Sequence, residues 1–242
     1  MEILELEHTD STNNWIANHE KELNGLTLVY SYAQTAGRGQ RGNSWESEPG
    51  KNITASIFFT PKNYEAARQF HISEAIALAI VDFLLEFGVE AKIKWPNDIY
   101  VGDRKICGIL VEHSVIGRNI SRTIAGFGIN MNQTLFLSDA PNPVSLSMLT
   151  GLSYDINESV RLLSKKLEEY LEKLDAPEKL HAEFLELVWR KDGEFHDFFD
   201  RGRSERIKGK IEDVRPDGLL VVTTERGEKR EYAFKEVEFI LR

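Results

Sequence analysis

The chain is poor in cysteine, in long apolar runs and in positive charge, and each shortage removes a class of function. Cys107 is the only cysteine among 242 residues, so no disulfide framework can form within the chain, which fits a reducing compartment. The longest apolar stretch, Ala75 to Phe87, is interrupted by Asp82 and Glu86. It falls short of the roughly 20 residues that span a bilayer. The opening segment, MEILELEHTDST, lacks the basic-then-apolar profile of a signal peptide. A soluble, cytoplasmic protein with no membrane contact is expected. Lys and Arg number 30 against 39 Asp and Glu, a formal net charge of -9. A field of that sign disfavours binding to phosphate backbones, so DNA is not an expected partner. The histidines His8, His19, His71, His113, His181 and His196 show no metal-ligand spacing with a second His or Cys, and no metal site is predicted.

What is present suffices for a folded core: 41% hydrophobic and 10% aromatic residues, enough for one main domain with a small appendage. Leu26 to Ala33 and Asn52 to Phe59 read as strands. Glu65 to Phe87 reads as a long helix, from apolar positions at Phe70, Ile72, Ile76, Ile80, Phe83, Leu84 and Phe87, with Gly88 as its stop. Further strands are expected over 89–95, 106–113 and 122–129. A helix is expected near Asp155, with Glu158 as capping partner, and another from Pro177. Beyond Lys191, Gly202, Gly209, Gly218 and Gly227 punctuate short β-type runs, the texture of a small barrel. The predicted class is α+β: a mixed or antiparallel sheet with flanking helices over residues 1–190, then a small β-barrel over 191–242. Trp189 is expected between the two parts, and Phe195, Phe198 and Phe199 are expected to anchor the barrel. Cys107, inside an apolar run, is expected in the core.

Two motifs carry chemistry. Gly37-Arg38-Gly39-Gln40-Arg41-Gly42 matches GxGxxG. A dinucleotide loop needs a helix directly after it, and Asn43-Ser44-Trp45-Glu46 instead leads through a loop into another strand. What remains is a glycine loop with two arginines, whose backbone can approach a ligand and whose free N–H groups can cradle an oxyanion. The second motif is Lys94-Trp95-Pro96-Asn97-Asp98, a turn after a strand. Lys94 and Lys105 would flank one hairpin and point into the same cleft.

Together these segments resemble the biotin–protein ligase family. The resemblance rests on TAGRGQRGNSW (Thr35 to Trp45), KWPND (Lys94 to Asp98), KICGILVE (Lys105 to Glu112), GFGIN (Gly126 to Asn130) and Ser11-Thr12-Asn13, in the family's order. The C-terminal segment is similar to the family's SH3-like domain. The resemblance implies a class II synthetase-like catalytic domain that uses ATP and biotin as substrates, with Mg²⁺ on the phosphates. Its partner would be a carboxylase biotinyl (biotin carboxyl carrier) domain, and its state a monomer or a homodimer. Ser11, Thr12, Asn13 and Gln34 would meet the ureido ring. Gly37 and Arg38 would help hold the biotin carboxylate and the phosphate, and Lys105 would neutralise both. Gly108 and Leu110 would line the biotin slot. Gly39, Gln40, Arg41, Trp45, Asn97 and Asn130 would contact the nucleotide side. Arg38, Lys94, Lys105 and Asp98 are the candidate catalytic residues, with Asp98 aligning or deprotonating the incoming amine. Gln40 and Asn43 stand where some members carry arginine. Ser11 to Asn13 begin so early that no DNA-binding helix-turn-helix is expected before them. The rival readings are a lipoate or octanoate attachment enzyme and a biotin-binding module without catalysis.

Overall fold

The protein is described from a computed structural model covering residues 1–138 and 142–241, apart from the side chain of Arg41. Seven strands precede residue 130: β1 (Glu2–Thr9), β2 (Thr27–Gln34), β3 (Ile53–Phe59), β4 (Lys92–Lys94), β5 (Asp98–Val101), β6 (Arg104–Ile116) and β7 (Asn119–Ile129). They form one sheet in the order β1-β2-β3-β7-β6-β5-β4. The β1–β2 pair is parallel and the other pairs are antiparallel, so the sheet is mixed as expected. β1 was not anticipated, although Leu4 and Leu6 alternate with Glu5 and Glu7. Those two leucines pack beside Ile16, Val29, Phe58 and Ile124 in a small second cluster.

The helices are α1 (Thr12–His19), α2 (Phe70–Leu85), α3 (Leu146–Thr150), α4 (Ile156–Glu172) and α5 (Pro177–Leu187). Nearly every side chain of α2 is buried, which follows from a helix that is apolar on almost all faces. It lies between the sheet and the pair α4 and α5. The predicted helix over 65–87 begins later, because Ala66–Arg68 form a 3-10 turn, and Gly88 in the left-handed region (φ +72°) ends it. α4 starts where its cap predicts, with the Asp155 carboxylate accepting from the Glu158 N–H at 2.8 Å. Cys107 is buried, and burial pushes its thiol up.

The C-terminal strands are β8 (His196–Asp200), β9 (Glu205–Val214), β10 (Leu220–Thr224), β11 (Lys229–Tyr232) and β12 (Val237–Phe239). They form an antiparallel sheet in the order β11-β10-β9-β8-β12. The expected small β-unit is therefore present, but as a curled run: among the described residues the end strands β11 and β12 do not pair, so the barrel is not closed. Trp189 sits between the sheets as expected, its ring centroid 5.3 Å from Tyr100 and 5.6 Å from Phe239. Phe198 is fully buried. Phe195 is 44% exposed and anchors nothing, because it precedes β8 rather than lying on its inward face.

His113 on β6 is held below the usual histidine range by burial, and its Nδ1 lies 2.9 Å from Thr123 Oγ1. Below about pH 6.5 the unfolded chain takes up a proton that the folded ring resists. His113 therefore contributes stability that is present above that pH and is lost as pH falls toward the folded value. Denaturant midpoints at neutral pH and near pH 5.5 are expected to differ less in His113→Gln than in the parent chain. An identical pH dependence in both would refute this.

Candidate active site

A cleft of about 1180 Å³ opens along the sheet face where β6 and β7 meet the KWPND turn, with part of the C-terminal sheet as its far wall. Its floor is made flat by glycine. Gly108 faces Gly128 across β6–β7, and Leu110 faces Gly126. Trp45 lies on this floor: a Cβ added to Gly128 would come within 2.2 Å of the indole, and one added to Gly108 within 3.0 Å. The glycines thus allow the close approach of a large ring. The Trp45 Nε1 is buried with no hydrogen-bond partner among the described residues, and so is Asn130 Oδ1. Buried orphan polar atoms are costly in proteins. Two of them lining one cleft mark the places where a polar ligand would be received.

One end of the cleft is a polar relay. Gln34 Oε1 accepts from the Thr12 N–H at 2.8 Å and from Thr12 Oγ1 at 3.2 Å. Thr12 Oγ1 meets Ser56 Oγ at 2.6 Å, and Ser56 Oγ donates to Asn13 Oδ1 at 2.5 Å. Asn13 Nδ2 donates to Glu112 at 2.7 Å, and Glu112 pairs with Arg38 at 2.9 Å. Ser11, also buried, lines the same end. The structure therefore brings Ser11, Thr12, Asn13 and Gln34 to one end of the cleft, and Arg38, expected beside the lysines, lies at this end instead because it pairs with Glu112. The structure adds Ser56 of β3, which sequence reasoning missed. The available signal was a pair of hydroxyls, Thr54 and Ser56, in a strand whose other residues are apolar.

The other end holds the charges. Asp98 sits between two lysines, with Lys105 Nζ at 2.6 Å from Oδ1 and Lys94 Nζ at 3.8 Å from Oδ2. Lys94 Nζ also lies over the rings of Tyr100 (5.0 Å) and Phe239 (5.3 Å). Burial, followed by the charges of Lys105 and Arg190, lowers its pKa against the opposing pull of Asp98. The neighbouring Trp95 donates its indole N–H to Gly218 O at 2.9 Å, so the turn is gripped by the C-terminal sheet.

Some expectations change. The glycine loop closes on itself: the Gly39 N–H donates to Asn43 O at 2.7 Å, and the Trp45 N–H to Gly37 O at 2.9 Å. The Gly39 N–H is therefore not free for an oxyanion, and Gly37 shapes the loop from outside the cleft lining. Asn97 lines the cleft, but its Nδ2 donates to Ile109 O at 2.7 Å and so holds the turn to β6. Gln40 lines the cleft mouth. The Arg41 side chain lies outside the described residues.

Glu46 was also missed. Its carboxylate accepts from the Leu137 and Ser138 N–H groups at 2.8 and 2.7 Å and from Gln133 Nε2 at 3.1 Å. Burial alone would raise its pKa, but these bonds outweigh it and hold the carboxyl below its usual value. Glu46 thus ties the loop carrying Trp45 to the segment carrying Phe136. In Glu46→Ala the Leu137 and Ser138 amides are expected to exchange with solvent roughly 10- to 100-fold faster, the worth of a charge-assisted bond. Unchanged exchange would remove the tie.

Comparison with known proteins places this architecture in a family. The profile of the biotin/lipoate A/B protein ligase family matches residues 5–130, and the chain belongs to that family. It is 32% identical over 165 residues to the bifunctional ligase/repressor BirA of Escherichia coli, covering 67% of this chain and 51% of that protein. It thus spans about half the length of that curated relative. It is 33% identical over 177 residues to a biotin–[acetyl-CoA-carboxylase] ligase of Paracoccus denitrificans, covering 70% of this chain and 73% of that one. The fold matches that of the biotin protein ligase from Aquifex aeolicus in complex with biotin and ATP, with a TM-score of 0.81, 24% identity, and coverage of 98% of this chain and 97% of that one. No helix among the described residues is long and apolar enough to cross a membrane.

Proposed function

We propose that this chain is a biotin–protein ligase. It activates biotin with ATP to biotinyl-5′-AMP and transfers the biotinyl group to a lysine of a carboxylase biotinyl domain. The observation that carries the reading is the layout of one cleft: a hydroxyl and amide relay at one end, a lysine pair around Asp98 at the other, and a glycine floor under Trp45 between them. A bicyclic urea needs donors and acceptors at one end of its slot. A carboxylate attacking a phosphate needs cations at the other.

In the first step a biotin carboxylate oxygen bonds to the α-phosphorus and pyrophosphate leaves. Two anions meet, so the barrier is largely electrostatic, and Lys105 and Lys94 lower it by opposing that charge. Ser11, Thr12, Asn13 and Gln34, with Ser56, hold the ureido end. Gly108 and Leu110 line the slot. Trp45, Gly39, Gln40, Arg41, Asn97 and Asn130 form the nucleotide side. In the second step the acceptor amine attacks the acyl carbon, AMP leaves, and Asp98 aligns the amine and takes its proton. Mg²⁺ would arrive on ATP. The cleft carboxylates Asp98, Glu46 and Glu238, and Glu112 bonded to the cleft residue Arg38, are each engaged by a cation or an N–H group, so no protein cage for the ion is assigned and no step is derived through it. The catalytic part is placed at 1–190 and the SH3-like part at 191–242, in line with the two sheets.

The test is acid-dependent ATP–pyrophosphate exchange by the purified chain. Exchange with biotin, and not with lipoate or octanoate, is expected. Exchange with lipoate would reassign the substrate, and exchange with no acid would leave a binding module.

A further inference from the structure

Outside the lining of the cleft, α2 and α5 share a group of side chains that the proposed reaction does not use. His71 and Glu74 lie one turn apart on α2, three residues from each other, and so share a face. His181 reaches them from α5. The Glu74 side chain is wholly buried, and both oxygens are engaged: Oε2 lies 2.8 Å from His71 Nδ1 and Oε1 lies 2.7 Å from His181 Nδ1. The three ligand-bearing atoms all lie within 4.8 Å of one another.

We propose that His71, Glu74 and His181 form a structural site for a borderline divalent cation of the zinc class. The donor set, two imidazoles and a carboxylate, suits such an ion. With metal–ligand bonds of about 2.0–2.2 Å, neighbouring ligand atoms around one ion lie roughly 2.7–3.5 Å apart; the two nitrogen–oxygen distances already fall there, and any wider separation among the three, up to 4.8 Å, must close when the ion binds. Without a cation the same atoms hold two N–H···O bonds, whose protons the ion replaces.

Two further observations fit. His181 Nε2, the nitrogen a metal-bound ring would leave free to donate, faces Asp213 Oδ1 of β9 at 4.0 Å. A carboxylate behind a ligating histidine is the usual supporting arrangement. The Tyr64 hydroxyl, which feels the charge of Glu74, is buried with no partner among the described residues. The ion would staple α2 to α5 and, through Asp213, steady the C-terminal sheet.

The test uses the full chain without a histidine tag, stripped by chelator and then titrated with Co²⁺. One Co²⁺ per chain is expected, giving visible absorption bands of a four- or five-coordinate site that Zn²⁺ abolishes. Zinc at about a hundred times its Kd is expected to raise Tm by roughly 5–10 °C. His181→Gln and His71→Gln are expected to weaken Co²⁺ binding by about 100-fold or more. Absence of those bands in the wild-type chain overturns the proposal whether or not the variants fold, and so does Co²⁺ binding of equal strength in both folded variants. Neither result bears on the ligase reading, because the site is separate from the cleft.

Discussion

Lys105→Ala is expected to lower biotin-dependent pyrophosphate exchange by about 10²–10³, the usual cost of removing one buried donor from a developing negative charge. The loss has a second component. Asp98 now balances Lys105 at 2.6 Å and Lys94 at 3.8 Å, and truncation leaves its carboxylate with Lys94 alone. The fold should survive, because the Lys105 backbone keeps its bonds to Asn142 O and from the Val144 N–H. Lys105→Arg restores charge but changes reach and shape, and is expected to recover only part of the rate. Exchange at wild-type rate in Lys105→Ala would remove Lys105 from the chemistry.

Gly126→Ala is the second large effect, and it acts through sterics. A Cβ there would come within 2.2 Å of Asn13 Oδ1. Asn13 cannot simply move, since it sits on α1, is buried, and is held by Ser56 on one side and Glu112 on the other. Overpacking of this kind costs about 1–3 kcal/mol. Because the displaced group is a link in the polar relay, the exchange assay should show biotin half-saturation rising by roughly 10- to 100-fold. Gly128→Ala makes a useful contrast. Its Cβ would meet the indole of Trp45 at the same 2.2 Å, but Trp45 rides on a loop and can swing away. Stability should change little there, while tryptophan emission shifts to the red as the ring leaves its floor. Unchanged biotin half-saturation in a folded Gly126→Ala would detach the relay from ligand binding.

Much of this was legible in the sequence wherever local chemistry decided the outcome. Asp155 and Glu158 announced α4, Pro177 opened α5, and the apolar run from Phe70 identified the buried helix. Ser11 to Asn13, Gln34, Arg38, Lys94, Asp98 and Lys105 were named from motifs, and they converge on one cleft. What was not legible depends on distant partners. Ser56 hides in a mostly apolar strand and gains meaning only when α1 packs over β3. Glu46 reads as a loop carboxylate until Leu137 and Ser138 turn their N–H groups toward it. Of the free N–H groups expected in the glycine loop, that of Gly39 is lost because the loop folds back on Asn43. His181 is 107 residues from Glu74, a separation that no spacing rule covers.

The grip on the KWPND turn has a consequence for dissecting the protein. Trp95 donates to the Gly218 carbonyl and Lys94 rests over Phe239, so the seat of a cleft lysine is furnished partly by the C-terminal part of the chain. A fragment ending near residue 190 would leave the Trp95 indole without its acceptor and Lys94 without one of its two rings. Such a fragment should resemble a lock missing its strike plate, able to admit the acid yet slow to turn it over. Adding the remaining segment as a separate polypeptide should return activity in proportion to how much of it docks.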